Sequence, residues 1–178
     1  MEHFVMNIRS SIENAGKAVA GALGVNKQPG ETDILDTLKE EHDEVQDLLE
    51  ALVESDNSRE RRSLVHRIKK ALVPHTKAEE KAVYDRVLAL GEKDAMTDGH
   101  EGYLEHALAS ESLAKLSKMT KPLSPEFSAT AKVLRELIDH HVAEEERNIW
   151  SQLRQNFSAE DRIQMNREFL SLKRKVKV

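Results

Sequence analysis

The sequence predicts an all-α fold: an up-down-up-down four-helix bundle with additional N-terminal and C-terminal helices. Three observations carry that expectation. Four prolines and seven glycines are spread over 178 residues, and no run alternates β-branched and polar residues as a half-buried strand would. Apolar residues recur instead at three- and four-residue spacing, which lines one face of a helix. The chain also repeats itself. Glu41-His42 followed by Leu49 and Leu52 matches Glu105-His106 followed by Leu113 and Leu116, and a His-x-x-x-Glu pair follows each His after 33 and 35 residues.

Residues Met1 to Val25 read as an amphipathic helix with Phe4, Val5, Ile8, Ile12, Ala15, Val19 and Leu23 on one side. Pro29-Gly30 marks the link to the next helix, so residues 1–30 form one unit, 31–156 the bundle and 157–178 a C-terminal helix. The first bundle helix is expected from about Asp33 to Glu54, with the stripe Leu35, Leu38, His42, Val45, Leu49 and Leu52. Asp56-Asn57-Ser58 caps the second, from about Arg59 to Leu90, which ends at Gly91. Its stripe is Ile68, Leu72, His75, Glu79, Val83 and Val87, and Pro74 removes one backbone hydrogen bond beside His75. The third helix is expected from about Asp98, or from near Asp94, to Lys118, with Tyr103, His106, Ala109, Leu113 and Leu116 inward. Ser124-Pro125 opens the fourth, to Gln155, with the stripe Leu134, Ile138, His141, Glu145, Ile149 and Leu153. Ser158 and Asp161 form a capping-box variant that starts the last helix, to about Lys173.

Composition narrows the chemistry. A net charge of −5 with both signs interspersed gives no basic face, so no nucleic-acid partner is expected. There is no cysteine, which excludes thiolate catalysis and Cys-type zinc or iron–sulfur sites. Neither a signal-peptide core nor an apolar run of membrane-spanning length is present, and the expected location is cytoplasmic.

The inward stripes contain residues that an apolar core would not choose. His42, His75, His106 and His141 place one imidazole on each bundle helix, and Glu79 and Glu145 add a carboxylate one turn after two of them. Burying such groups without partners costs several kcal/mol. Metal is the economical compensation, and two such pairs suggest two metals or one metal held from two sides. Imidazole and carboxylate suit iron, manganese or zinc.

The order His, His-x-x-x-Glu, His, His-x-x-x-Glu resembles the hemerythrin-like family, whose defining unit is the hemerythrin HHE cation-binding domain. The resemblance runs from about Asp33 to Gln155 and meets all six positions. It implies a four-helix bundle holding two non-haem iron ions, with zinc or manganese as alternatives. It further implies that Glu79 and Glu145 bridge the two ions, while His42, His75, His106 and His141 are terminal ligands. The oxygen-carrying members have a further His one turn before the third-helix ligand. Here that position is Gly102, and Glu101, Tyr103, Glu105 or water is expected to replace it. Those members also place the last carboxylate five residues after its His, which here would be Glu146; Glu145 fits the stripe better, since one further residue turns about 100° away.

The expected function is binding or sensing of dioxygen, nitric oxide or peroxide. The alternative is a di-iron enzyme acting on peroxide or Fe(II), and a third reading is a structural zinc site. The N-terminal helix is a candidate oligomer or membrane-surface contact. His66, about 180° from His75 on its helix, is expected at the surface. His140 with Glu144 forms an alternative pair about 100° off the stripe. His100 is a candidate substitute ligand. Tyr84 and Trp150, each nine residues after a ligand His, are expected to pack around the site with a polar tip.

Overall fold

A computed structural model describes residues 31–178, which are all-helical with no strand among them. In chain order the helices are α1 (Ile34–Glu54), α2 (Ser58–Glu79), a π-helical turn (Glu80–Tyr84), α3 (Asp85–Ala89), α4 (Lys93–Lys118), α5 (Pro125–Arg147), α6 (Ile149–Asn156) and α7 (Ala159–Lys173). The expected N-terminal amphipathic helix, with its oligomer contact, lies outside the described residues. No described helix is long and apolar enough to cross a membrane.

Local chemistry sets the helix ends. The Asp33 carboxylate accepts from the Leu35 amide at 3.1 Å, and the Asn57 side chain accepts from Arg59 and Glu60 at 2.9 and 3.1 Å. Ser124 caps α5, with Pro125 in its first turn, and Ser158 with Asp161 makes a complete capping box on α7. Gly91 stops α3 at a φ of 75°, a left-handed conformation that glycine adopts without strain.

Two expected helices are interrupted. The segment expected as one helix from Arg59 to Leu90 passes through the π-helical turn, whose extra residue swings the succeeding residues by about 100°. Glu79 and Glu80 therefore both face inward, as do Val83 and Tyr84. The segment expected to run to Gln155 breaks at Asn148, between α5 and α6. The third bundle helix begins at Lys93, next to the earlier of its two expected starts.

α1 packs against α2 and α5, and α4 packs against α5 and α2, so the four long helices close a ring. α7 lies across α1, α2 and the π-helical turn. It also secures the start of α1: Arg162 donates to Asp33 at 2.8 Å and Asn166 donates to the Thr32 carbonyl at 3.0 Å. The core has two apolar layers. One contains Leu49, Leu52, Ile68, Leu113, Phe127 and Leu134; the other contains Ile34, Leu38, Val87, Ile149, Leu153 and Phe169. The polar residues of the stripes lie between them along every helix.

Candidate metal centre

The six inward residues of the stripes meet in that middle layer. His42, His75, Glu79, His106, His141 and Glu145 are between 0% and 4% exposed. Glu79 Oε2 stands 3.2 Å from His75 Nε2 and 3.4 Å from His106 Nε2, so it reaches from its own half of the repeat to the other. Glu145 Oε2 does the same, 3.3 Å from His141 Nε2 and 3.8 Å from His42 Nε2. The groups His42–His75–Glu79 and Glu79–His106–His141 each have ligand atoms within 4.8 Å of one another.

A second set of carboxylates surrounds these imidazoles. The outer Nδ1 of His42 is 3.2 Å from Glu146, that of His75 is 3.0 Å from Glu41, and that of His141 is 2.7 Å from Glu105. His106 Nδ1 is 3.5 Å from Glu80, the longest of the four contacts. The carboxylates accept from the Nδ1 atoms of His42, His75 and His141, so in the neutral rings Nε2 is left to present a lone pair to the centre. Carboxylates that orient imidazoles in this way are the usual outer layer of a histidine metal site.

The pattern obeys the repeat. Glu41 and Glu105, each immediately before a core His, serve the His-x-x-x-Glu helix of their own half. Glu80 and Glu146, each immediately after a core Glu, serve the opposite half. Spacing alone set Glu146 aside as off the stripe. The signal for all four was the paired recurrence of Glu-His and Glu-Glu at matching places in the two halves.

The centre fits a cation. The Nε2 atoms of His106 and His141 face each other at 3.2 Å. At that distance one ring can donate a proton to the other, or both neutral rings can present lone pairs to a cation between them. Donors about 2.1 Å from one ion and at right angles lie about 3 Å apart, close to the spacings seen here. Both oxygens of Glu79, Glu145 Oε1 and His42 Nε2 are buried without a hydrogen-bond partner. The carboxylates also draw protons to the imidazoles. Burial opposes this most strongly, yet Glu79 and Glu41 hold His75 up to about 9. Against the same penalty, Glu105 and Glu145 hold His141 up to about 10. Burial likewise works against ionised Glu79, and His75 and His106 nonetheless keep it well below the usual carboxylate range.

Aromatic residues wall the cluster. Trp150 stacks on His42, with centroids 6.2 Å apart and planes at 16°, and Phe169 of α7 meets His75 edge-on at 5.8 Å. Tyr84 stacks on His106 at 5.2 Å and its hydroxyl donates to Glu145 Oε2 at 3.1 Å. A Cβ on Gly102 would fall 2.6 Å from the Tyr84 ring. The place of the further His in oxygen carriers is thus taken by a tyrosine from the π-helical turn. Neither Tyr103 nor Glu105 takes up that ligand position. The Tyr103 hydroxyl donates to Asp85 at 2.6 Å, and Glu105 holds His141 from outside. Glu101 is at the surface, as are His66, His100 and His140. His42, His75, His106 and His141 also border a cavity of about 10 Å³ closed by Val45, Leu72, Ile138 and Val142, room for about one water.

A DNA nickase from Nostoc sp. is 29% identical over 170 residues, which cover 93% of this chain and 47% of that protein. The chain thus spans about half the length of this curated relative. No solved structure matches it. The description "Hemerythrin HHE cation binding domain" matches residues 33–153, and the chain accordingly belongs to the hemerythrin HHE cation-binding family.

Proposed function

We propose that the chain holds two non-haem iron ions in an up-down-up-down bundle and uses them to bind dioxygen, nitric oxide or peroxide. His42 and His75 would hold one ion, His106 and His141 the other, and Glu79 and Glu145 would bridge them. One observation carries this reading: four inward Nε2 atoms converge on two buried carboxylates that each span both halves of the repeat. A carboxylate shared by two cations offsets their repulsion. Bound iron would supply a redox-active cation pair, and six protein ligands leave positions open for a small molecule.

The remaining work falls to the protein. Glu146, Glu41 and Glu105 orient the imidazoles of His42, His75 and His141, and Glu80 stands 3.5 Å from His106 Nδ1. Val45, Leu72, Ile138 and Val142 wall the small cavity beside the four imidazoles with apolar groups. Tyr84 holds a proton 3.1 Å from Glu145 Oε2, and its hydroxyl stays neutral because burial, Glu145 and Glu79 push its ionisation well above the usual range. Elemental analysis of protein made in iron-rich medium should return two irons per chain. An optical spectrum taken after oxygen and then peroxide separates the uses. A stable oxygenated spectrum means carriage or sensing, and peroxide turnover means an enzyme. Two zincs and no colour would defeat the iron reading.

A second reading comes from the name of the Nostoc relative, DNA nickase. Two features weigh against it for this chain: the cluster is at most 4% exposed, and the net charge of −5 opposes a polyanion. Incubating the chain with supercoiled plasmid and Mn(II) decides the matter, since nicked product would favour the second reading.

A further inference from the structure

A second group of ligand-type side chains lies on the surface. Glu101 of α4 with His140 and Glu144 of α5 place one ligand atom each within 4.8 Å of one another. His140 and Glu144 are one turn apart on one face. Sequence spacing weighed them as an alternative to the buried pair, whereas the structure places them outside it.

This group is connected to the core. Glu101 and Glu144 line a cleft that continues to Glu105, His141 and Glu145. Glu105 joins the two levels: one oxygen is 3.6 Å from surface His140, and the other is 2.7 Å from buried His141. On the cleft's inner wall, Glu145 is 3% exposed and its Oε1 has no hydrogen-bond partner. An unsatisfied buried acceptor calls for a cation or a donor. Arg147 pairs with Glu144 but is 64% exposed, so it can turn to solvent when another cation arrives.

We propose that Glu101, His140 and Glu144 form a surface divalent-cation site that delivers metal along this cleft to the buried cluster. Delivery, though not the surface site itself, rests on the dinuclear reading proposed for the cluster. Mixed imidazole and carboxylate donors suit Fe(II), Mn(II), Co(II) and Zn(II). Three protein ligands leave the rest of the coordination shell to water, which makes the ion exchangeable, as an entry site requires. A negatively lined cleft raises the local concentration of cations and so the rate of capture. The buried ligands, at most 4% exposed, need such a route.

The test loads metal-free full chain with Co(II). Metal retained after rapid desalting reports the buried cluster, and equilibrium dialysis adds the exchangeable ion. In Glu101→Gln/His140→Ala/Glu144→Gln, retention should slow about tenfold and reach the wild-type end point, with one exchangeable Co(II) lost. Glu111→Gln, an exposed carboxylate elsewhere on α4, should match wild type in both. His140→Ala alone should change both in the same direction, and it decides the matter if the triple variant does not fold. Retention slowed less than twofold overturns delivery, and an exchangeable ion that persists overturns the surface site. If wild type retains no Co(II), the dinuclear reading and delivery fail together, while the exchangeable ion still decides the surface site.

Discussion

The two halves of the repeat carry the same inward His and Glu residues and differ in what surrounds them. In the first half, His42 and His75 lie under Trp150 and Phe169, and Lys173 of α7 pairs with the carboxylate that holds His75. In the second, His106 lies under Tyr84, and the carboxylate that holds His141 stands in an acidic cleft beside Glu101 and Glu144. One half is closed by an added helix and the other adjoins a cleft. Duplication reproduces donor atoms faithfully, but elements that are not duplicated decide access and field. Here those elements are α7 and the π-helical turn.

The largest expected effect removes what the halves share. Glu79→Gln or Glu145→Gln takes away a negative charge that the dinuclear reading places between two cations, and breaking such a buried pair costs about 3–5 kcal/mol. Metal content should fall from two to below one per chain, and the melting temperature should drop with it. His42→Ala removes one neutral donor that water can replace, and should cost less. Equal losses in all three variants would mean that the carboxylates do not bridge.

Next come the outer carboxylates, whose loss in histidine metal sites typically costs 10–100-fold in metal affinity. Glu105→Gln and Glu41→Gln should both fall in that range by competition with a chelator. Glu105→Gln should also slow metal uptake, because Glu105 alone of the pair stands in the cleft. Identical uptake rates would erase the functional difference between the halves. His66→Ala, at an exposed position, should leave metal content unchanged.

Gly102→Ala tests the second half from within. Its Cβ would meet the Tyr84 ring at 2.6 Å, so the ring must shift and the contact to Glu145 must lengthen. Overpacking of this kind costs about 1–3 kcal/mol, against a gain of about 1 kcal/mol from replacing a helical glycine. A net loss in chemical denaturation is expected, with a changed tyrosine signal in near-ultraviolet circular dichroism. A more stable variant with an unchanged spectrum would show that the ring is not held tightly there.

Much of this was legible in the sequence, for a physical reason. Helical periodicity reports which residues face inward, so the stripes identified the four His and two Glu that meet in the middle layer and the helices that carry them. It assumes a constant turn, and so it missed the π-helical turn, which brings Glu80 and Tyr84 inside. Gly102 was visible as a departure from the family pattern, but nothing local reveals that a tyrosine eighteen residues earlier fills the space. Contacts between helices are set by packing, so the reach of Glu146 to His42 and of Lys173 to Glu41 needed the fold.

Lys173 is the smallest test of the contrast between halves. It closes α7, its ammonium lies 5.4 Å from the Phe169 ring centroid, and it pairs with the Glu41 oxygen that accepts from His75. Burial tends to neutralise Glu41, but His75 and Lys173 together keep its carboxyl below the usual range. In Lys173→Gln that carboxylate loses a competitor for its charge and becomes a stronger acceptor for His75. The ammonium is about a quarter exposed, so solvent screening limits the stability loss to about 1 kcal/mol or less. The electronic effect should reach His75 and stop there, because the carboxylates of the second half receive nothing from α7. Competition with a chelator should show a change of about twofold in one of the two metal affinities and none in the other, shrinking as salt is added. Equal changes at both sites would mean that α7 acts on the cluster as a whole, and the two halves would then differ in access alone.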